Sequence, residues 1–471
     1  MTKYRTVPVD TTRMPSGVPF IIGNEVAERF SFYGMKSILT VFMTTYLINS
    51  AGEPDYMSEE DAKTVYHLFT AAAYFFPILG ALIADILWGK FKTIMILSMG
   101  YCVGHACLAM GDTGIGTGIA EPRTWLFVGL AFIAVGAGGI KPCVSANVGD
   151  QFGKSNKHLV SKIFSWFYFS INVGAVTSSL LTPLLLAKVG PWLAFGTPGV
   201  LMALATLIFW MGRKKFVHIP AAGMNKFIEE TFSKDGLRAI LNLSPIFLIF
   251  IPMFWAIFDQ SGSAWVIQAT HMNLDFMGIS WLPSQIQAVN PFLILVLIPT
   301  FTYLIYPQVD KVFKMTPMRK MSIGLFLTAG AFAISGWIQM RIDGGATPNI
   351  GWQFVAYFVL TAAEVMVSIT SLEFAYTQAP KKMKSFIMGI YFLGISLGNL
   401  FAAAVNFFIQ NDDGTVKLEG ASYYWFFTIL MVITSVVFIF VSKMYKGKTY
   451  LQEGDEEEVA SEAKAEGIGD T

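Results

Sequence analysis

The sequence predicts an all-α membrane protein that crosses the bilayer twelve times and keeps both termini in the cytoplasm. Of its 471 residues, 54% are hydrophobic and 14% are charged, whereas about a quarter of the residues in soluble domains are charged. The chain holds twelve apolar stretches of roughly the 20 residues that a membrane-spanning helix needs. Its lysines and arginines concentrate in alternate loops. This composition excludes a water-soluble enzyme, a secreted disulfide scaffold and a disordered chain.

The apolar stretches form two sets of six. They lie near residues 20–48, 65–87, 93–110, 124–145, 159–187 and 192–212, and then near 245–270, 284–306, 317–340, 352–378, 385–410 and 421–445. We therefore predict an N-terminal bundle at 1–212, a cytoplasmic linker at 213–244, a C-terminal bundle at 245–446 and a disordered acidic tail at 447–471. The linker has room for one amphipathic helix around 224–241. The first stretch lacks the cleavage site of a signal peptide, so we expect a retained helix.

The cations set the orientation, because loops rich in Lys and Arg tend to stay in the cytoplasm. With a cytoplasmic N-terminus, 25 of the 33 cations fall in inside loops, 5 fall outside and 3 fall within spans. The second and eighth spans each end in an acid that is followed by cations, Asp85 before Lys90 and Asp310 before Lys311. Two such repeats around a midplane cavity describe the major facilitator architecture.

Eight charged residues lie inside the apolar stretches, where each costs about 2.5–3.5 kcal/mol on insertion scales and usually marks a pathway or an ion pair. They are Glu25, Glu28, Arg29, Lys36 and Lys141 in the first half and Asp259, Glu364 and Glu373 in the second. The buried cations thus oppose acids of the other half, and a cavity polarised in this way suits a zwitterion such as a short peptide. The alternative is that these residues only form ion pairs that hold the bundle together.

Motifs for other functions are missing from the sequence. The run from Gly149 to Ser155 is one residue short of a phosphate-binding loop, and the five histidines form no zinc motif. A net charge of +1 offers no basic face for nucleic acid. The three cysteines lie in apolar stretches, as small buried hydrophobes do. We therefore expect a transporter driven by an ion gradient, not an enzyme, with no metal, and we single out His67 as able to titrate near neutral pH.

Several runs resemble the proton-dependent oligopeptide transporters of the major facilitator superfamily. The first span contains Glu25-Val-Ala-Glu28-Arg29-Phe30, which is similar to that family's Glu-x-x-Glu-Arg-Phe motif. The run from Phe167 to Ala175 resembles its Phe-Tyr-x-x-Ile-Asn-x-Gly motif. Further matches are Tyr66-His67, 139–142, 254–260 and Glu364-Val365. The chain departs from the pattern where Lys36 replaces a common Arg, Phe32 a Tyr and Tyr391 a Trp.

The resemblance implies a role for each matching residue. Proton coupling would involve Glu25, Glu28, Arg29, His67, Asp259 and Glu364. The peptide site would be lined by Arg29, Tyr33, Lys36, Tyr74, Lys141, Tyr168 and Asn172 from the first half and by Trp255, Asn290, Glu364, Ser368 and Tyr391 from the second. As gates, Lys36 and His67 would oppose Asp259 at the outer end, and Lys141 would pair with Glu364 across the cavity.

The residues and the resemblance together predict a monomeric, multi-pass transporter of the cell (inner) membrane that imports di- and tripeptides with protons by alternating access. The proton is the coupling ion, and no other cofactor is expected. Alternatives are a carrier of the same fold for nitrate or a peptide-like drug, and a peptide transceptor. Glu364 discriminates between these cargoes, because an ammonium group needs it and a simple anion would be repelled.

Overall fold

The computed structural model describes residues 4–221, 223–224, 240–241, 243–378, 384–411 and 415–445. Across these residues the regular structure is helical, apart from one antiparallel ladder of β1 (Asp275–Phe276) with β2 (Ile279–Ser280). The prediction of an all-α fold is confirmed. The predicted acidic tail and most of the predicted linker helix lie outside the described residues.

Twelve long helical segments follow one another along the described chain. They are α1 (Val18–Val41), α2 (Glu59–Ile83), α3 (Lys90–Met110), α4 (Pro122–Gly149), α5 (Val160–Lys188), α6 (Pro191–Met211), α7 (Leu243–Thr270), α8 (Pro283–Asp310), α9 (Pro317–Asp343), α10 (Gly351–Ala375), α11 (Lys384–Phe408) and α12 (Ala421–Met444). Short helical pieces occur at Gly114–Thr117, Lys154–Leu159 and Gly212–Lys214. These bounds follow the predicted stretches closely.

The largest difference at a helix start is in α2, which begins at Glu59 rather than near residue 65. Ser58 caps the helix, because its side chain accepts a hydrogen bond from the backbone N–H of Asp61. The first turn also carries three acids, which the positive end of the helix dipole favours. A polar first turn of this kind extends a helix beyond its apolar stretch.

Eleven helices of the described chain, α2 to α12, contain a stretch that is long and apolar enough to cross a membrane. The chain is therefore a multi-pass membrane protein. Helix α1 has a similar length but carries Glu25, Glu28, Arg29 and Lys36, more charges than a membrane-crossing stretch ordinarily holds. The difference from the predicted twelve crossings arises from these four charges.

Buried apolar side chains form two main cores. One core is built from α1 to α6, which we call the N-terminal half, and runs from Val18 to Phe216. The other is built from α7 to α12, the C-terminal half, and runs from Leu243 to Phe438. A smaller cluster joins α8 to α10 and includes Phe301 and Met366.

Irregular turns interrupt two helices beside predicted functional residues. In α7 a 3-10 turn occupies Asp259–Gly262, and in α10 a π turn at Val365–Ile369 follows Glu364 directly. Such turns re-aim side chains and are frequent at functional sites. Other π turns lie at Phe42–Tyr46, Ala84–Trp88, Ile246–Phe250 and Phe301–Ile305.

Glycines allow two pairs of helices to approach closely. A Cβ atom on Gly80 of α2 would lie 2.4 Å from the Cα of Gly139 in α4. Likewise, Cβ atoms on Gly394 and Gly398 of α11 would each lie 2.2 Å from a carbonyl oxygen of α7. The crossing of α2 and α4 brings the α4 segment that contains Lys141 next to α2.

The two halves are joined by hydrogen bonds concentrated toward one end of the molecule. The Thr40 hydroxyl donates to the carbonyl of Gly262 at 2.8 Å, and the Gln287 amide donates to the carbonyl of Ser37 at 2.8 Å. Gln285 donates to the carbonyl of Leu180 at 3.0 Å. These residues belong to the C-terminal ends of α1 and α5, the middle of α7 and the beginning of α8, so this end of the interface is closed.

Candidate functional site

Helix α1 presents a charged face to the space between the halves. Glu25, Arg29 and Tyr33 recur every four residues and therefore lie one above the other. The Arg29 Nε donates to Glu25 Oε1 at 2.6 Å and lies 3.4 Å from Glu28 Oε2. Both carboxylates are 1% exposed. One guanidinium thus lies between two buried carboxylates, and its loss would leave both of them without a cation.

The ion pair of Lys36 and Asp259, which we call the gate pair, joins α1 to α7. The Lys36 Nζ lies 2.8 Å from Asp259 Oδ1, and both residues are buried. The other carboxylate oxygen, Oδ2, accepts a hydrogen bond from the Asn399 amide of α11 at 2.8 Å. The structure thus brings together the two charges that were predicted to meet at the outer end.

His67 reaches Asp259 only through Asn399, so the predicted direct contact is absent. Its Nδ1 lies 2.8 Å from Asn399 Oδ1 and its Nε2 lies 3.0 Å from the Ser263 hydroxyl. Because the Asn399 amide nitrogen donates to Asp259, its oxygen must accept from Nδ1, which assigns the proton to Nδ1 of the neutral ring. Asn399 and Ser263 could not be identified from the sequence, because a single uncharged polar residue within a span belongs to no distinctive motif.

Lys141 and Glu364 do not form the predicted pair. The Lys141 Nζ lies 3.3 Å from the centroid of the Phe32 ring and 5.3 Å from that of Tyr74, both in its own half. Glu364 Oε2 instead accepts from the Asn290 amide at 2.7 Å within the C-terminal half. The Phe32 ring stabilises the Lys141 cation, and the Asn290 amide stabilises the Glu364 carboxylate. The two charges therefore do not need each other and stay on opposite halves.

The remaining predicted site residues line the same space from both halves. The rings of Tyr74 and Trp255 lie 6.5 Å apart between α2 and α7. Tyr391 lies beside Ser368 and Trp255. Tyr33 and Tyr168 both come within electrostatic range of Glu364.

Asn172 is held on its own helix, because its amide donates to the carbonyl of Tyr168 at 2.9 Å. Glu373, which the sequence analysis counted among the buried charges, is instead exposed near the end of α10. The apolar stretch predicted at 352–378 extended past the buried part of the helix.

The lining of this space is only partly buried. Arg29, Tyr33, Tyr74, Asn290, Glu364 and Ser368 are half-buried, and Tyr168 is 40% exposed. The gate pair and His67 are buried at the closed end of the interface. Half-buried polar side chains of the two halves therefore lie next to the gate pair, with cations in the N-terminal half and Glu364 in the C-terminal half.

Two six-helix halves with site residues between them are the architecture of the major facilitator class. Residues 91–234 and 222–426 match the model of the POT family. The chain belongs to the POT family, the proton-dependent oligopeptide transporters, as the sequence motifs predicted.

Curated relatives agree with this family. Solute carrier family 15 member 2 of Rattus norvegicus is 36% identical over 397 residues, which cover 76% of this chain and 53% of that protein. Peptide transporter 3 of Caenorhabditis elegans is 38% identical over 371 residues, which cover 70% of this chain and 51% of that protein. The chain therefore spans about half the length of the curated relatives it matches.

Solved structures share both the fold and the family. The POT family transporter PepTSo is 34% identical, with a TM-score of 0.82 over 92% of this chain and 99% of that one. Another proton dependent oligopeptide (POT) family transporter is 36% identical, with a TM-score of 0.75 over 89% of this chain and 100% of that one.

Proposed function

We propose that the protein is a proton-coupled symporter that carries di- and tripeptides by alternating access. The separation of charge between the halves, with Arg29 and Lys141 on one side and Glu364 on the other, is the observation that carries this proposal. A peptide carboxylate would bind Arg29 or Lys141 of the N-terminal half, and its ammonium would bind Glu364 of the C-terminal half, through charge-assisted hydrogen bonds. Several relatives are named peptide transporters, which supports the same cargo.

Proton binding would drive the change between conformations. A buried ion pair that loses one charge leaves the other uncompensated and no longer holds its helices together. Protonation of Asp259 would release Lys36 and open the gate pair, and protonation of Glu25 or Glu28 would free Arg29 for the peptide. Each protonation would shift the equilibrium between the two conformations of the alternating-access cycle.

We further propose that α1 is a twelfth membrane span and that both termini are cytoplasmic. The protein would be a monomer in the cell (inner) membrane. The four charges of α1 face partners inside the protein rather than lipid, which lowers the cost of its crossing. On this topology the bundles at 1–212 and 245–446 are joined by a cytoplasmic linker at 213–244, and a cytoplasmic tail follows at 447–471.

Uptake of labelled dialanine into proteoliposomes tests the proposal. An inward proton gradient should accumulate dialanine above its external concentration, and collapse of the gradient with a protonophore should abolish the accumulation. Nitrate should not compete, because Glu364 repels an anion in the cavity. Vesicles whose uptake ignores both the gradient and unlabelled peptide would reject the function.

A further inference from the structure

Helix α1 carries a second polar face that points into the N-terminal half rather than toward the cavity. Asn24, Glu28 and Ser31 follow one another at spacings of four and three residues, so they share a face rotated away from that of Glu25 and Arg29. Asn24 and Ser31 are fully buried and Glu28 is 1% exposed. The sequence motif around Glu28 therefore contributes to two faces of α1, one toward the C-terminal half and one inside the N-terminal half.

Helix α3 carries a matching stripe. Ser98, Tyr101 and His105 follow one another at spacings of three and four residues and lie on one face. Tyr101 and His105 are fully buried and Ser98 is 1% exposed. The Tyr101 and His105 rings stack with their centroids 5.1 Å apart, so two members of this stripe are in contact inside the bundle.

The two stripes approach each other at Tyr101. Tyr101 lies within electrostatic range of both Glu28 and Arg29. Helix α6 borders both, because the Ser31 hydroxyl donates to the carbonyl of Pro198 at 2.7 Å and a Cβ on Gly199 would lie 2.8 Å from the Cβ of His105. We call the group Asn24, Glu28, Ser98 and Tyr101 the buried seam.

Every member of the seam has polar atoms that no other described residue satisfies. Both amide atoms of Asn24, both carboxylate oxygens of Glu28 and the hydroxyls of Ser98 and Tyr101 are buried without a hydrogen-bond partner in the described part of the chain. Buried polar groups in proteins almost always have a partner, which is commonly an ordered water that makes about three hydrogen bonds. Four such residues on two helices that both pack against α6 supply the donors and acceptors that water requires.

Glu28 is also the freer of the two carboxylates beside Arg29. Glu25 holds a 2.6 Å hydrogen bond from the guanidinium, whereas Glu28 is 3.4 Å away and accepts no hydrogen bond from a described residue. A carboxylate without a fixed donor can take up a proton without first breaking a hydrogen bond. The charged and titratable groups that face Glu28 are Glu25, Arg29 and Tyr33 of α1, Lys141 of α4 and Tyr101 of α3.

We propose that the buried seam is a water-binding site whose water delivers the coupling proton to Glu28, separately from the peptide cavity. A hydronium ion in the seam transfers its proton to the Glu28 carboxylate, which leaves water and a neutral carboxyl group, and the reverse transfer releases the proton later. Tyr101 is a positioning residue, because its hydroxyl orients the water beside the carboxylate. This inference rests on the proposed function of proton-coupled transport.

Two variants remove single hydroxyls from the seam with little change in shape, Tyr101→Phe and Ser98→Ala. Tyr306→Phe is the matched control, since its hydroxyl is also buried without a partner among the described residues but lies in α8 of the other half. Each protein is reconstituted with an internal pH dye. Proton entry driven by a dialanine gradient is compared with exchange of dialanine between equal internal and external pools.

The seam variants should lower peptide-driven proton entry by about tenfold, because a water that loses one hydrogen bond is no longer held beside the carboxylate, while dialanine exchange persists. The control should keep both activities. Unchanged proton entry in Tyr101→Phe and Ser98→Ala would overturn the proposal. Absence of dialanine-driven proton entry in the unmodified protein would instead reject the proposed function, and with it the transport role of the seam.

Hydroxyl-radical footprinting tests the bound water without any transport assay. A water held beside Tyr101 generates radicals next to its ring, so Tyr101 should be labelled several-fold faster than Tyr357. Tyr357 is equally buried, but its hydroxyl donates to the carbonyl of Ser261 at 3.0 Å. Equal labelling of the two tyrosines would overturn the water site.

Discussion

Single side chains decide how firmly the two halves are held together. Asp259 receives Lys36 on one carboxylate oxygen and Asn399 on the other, and Asn399 in turn binds His67. Both oxygens of a buried acid are therefore satisfied, which is the condition under which a buried charge is tolerated. A proton on Asp259 would weaken both contacts at once.

Lys36→Met should destabilise the protein by about 3–5 kcal/mol, because it leaves Asp259 buried without its cation. The double variant Lys36→Met/Asp259→Leu removes both charges and should recover much of that loss. Thermal unfolding in detergent of the two single variants and the double variant measures the coupling between the sites. Additive losses would contradict a direct gate pair.

Glu364→Gln should weaken dialanine binding by roughly tenfold, since a hydrogen bond to a charged group contributes about 1.5–3 kcal/mol. The neutral amide keeps the size of the side chain but loses the charge that attracts the peptide ammonium. Glu373→Gln is the control, because it is on the same helix but exposed. Competition by unlabelled dialanine measures the affinity, and equal effects of both variants would argue against an ammonium site at Glu364.

Small residues at the helix crossings position pairs of helices as much as the packing of apolar side chains does. Gly80 and Gly139 bring α2 against α4, and Gly394 and Gly398 bring α11 against α7. Close packing of this kind is the usual way in which helices associate inside a membrane, where lipid is as apolar as the side chains. The α2 and α4 crossing also orders the segment that carries Lys141.

Gly80→Ala should lower the thermal stability of the protein, because the added Cβ would lie 2.4 Å from the Cα of Gly139 and would force the helices apart. Gly23→Ala in α1 has no atom within 4 Å of the added Cβ, and an alanine in a helix interior is favoured over glycine by up to about 1 kcal/mol. Thermal unfolding should therefore separate the two variants. A similar loss in both would contradict the crossing.

The positions of the helices could be predicted because each apolar stretch is long and is interrupted by polar loops. The contacts between helices could not be predicted, because the hydrophobicity pattern of the sequence does not say which helices face each other. The bridge from His67 through Asn399 to Asp259 joins residues more than a hundred positions apart in sequence. The position of the Lys141 side chain over the Phe32 ring could not be predicted either, because it depends on the crossing of α1 with α4.

At the scale of the whole molecule, contacts between the two halves close one end of their interface. Lys63 of α2 lies over the Tyr423 ring of α12 at 4.5 Å, and Glu59 lies 3.6 Å from His271. These contacts lie at the same end as the gate pair, while Tyr168 of the N-terminal half is 40% exposed. A symporter in this conformation would be closed at the outer end.

The proposed topology places opposite loops on opposite sides of the membrane. Met277 lies in the turn between α7 and α8 and Val312 in the loop between α8 and α9, and they are 85% and 93% exposed. Intact cells treated with an impermeant maleimide should therefore label Met277→Cys and leave Val312→Cys unlabelled until the membrane is opened. The reverse pattern would place both termini outside.

Proton movement driven by peptide is the most direct measure of the proposed coupling. Proteoliposomes with equal pH on both sides receive external dialanine, and an internal dye reports the pH. Entry of protons together with the peptide should acidify the interior, and Glu25→Gln or Glu28→Gln should remove this signal while dialanine exchange persists. Dialanine that enters the unmodified protein's vesicles without any change in internal pH would contradict proton-coupled symport.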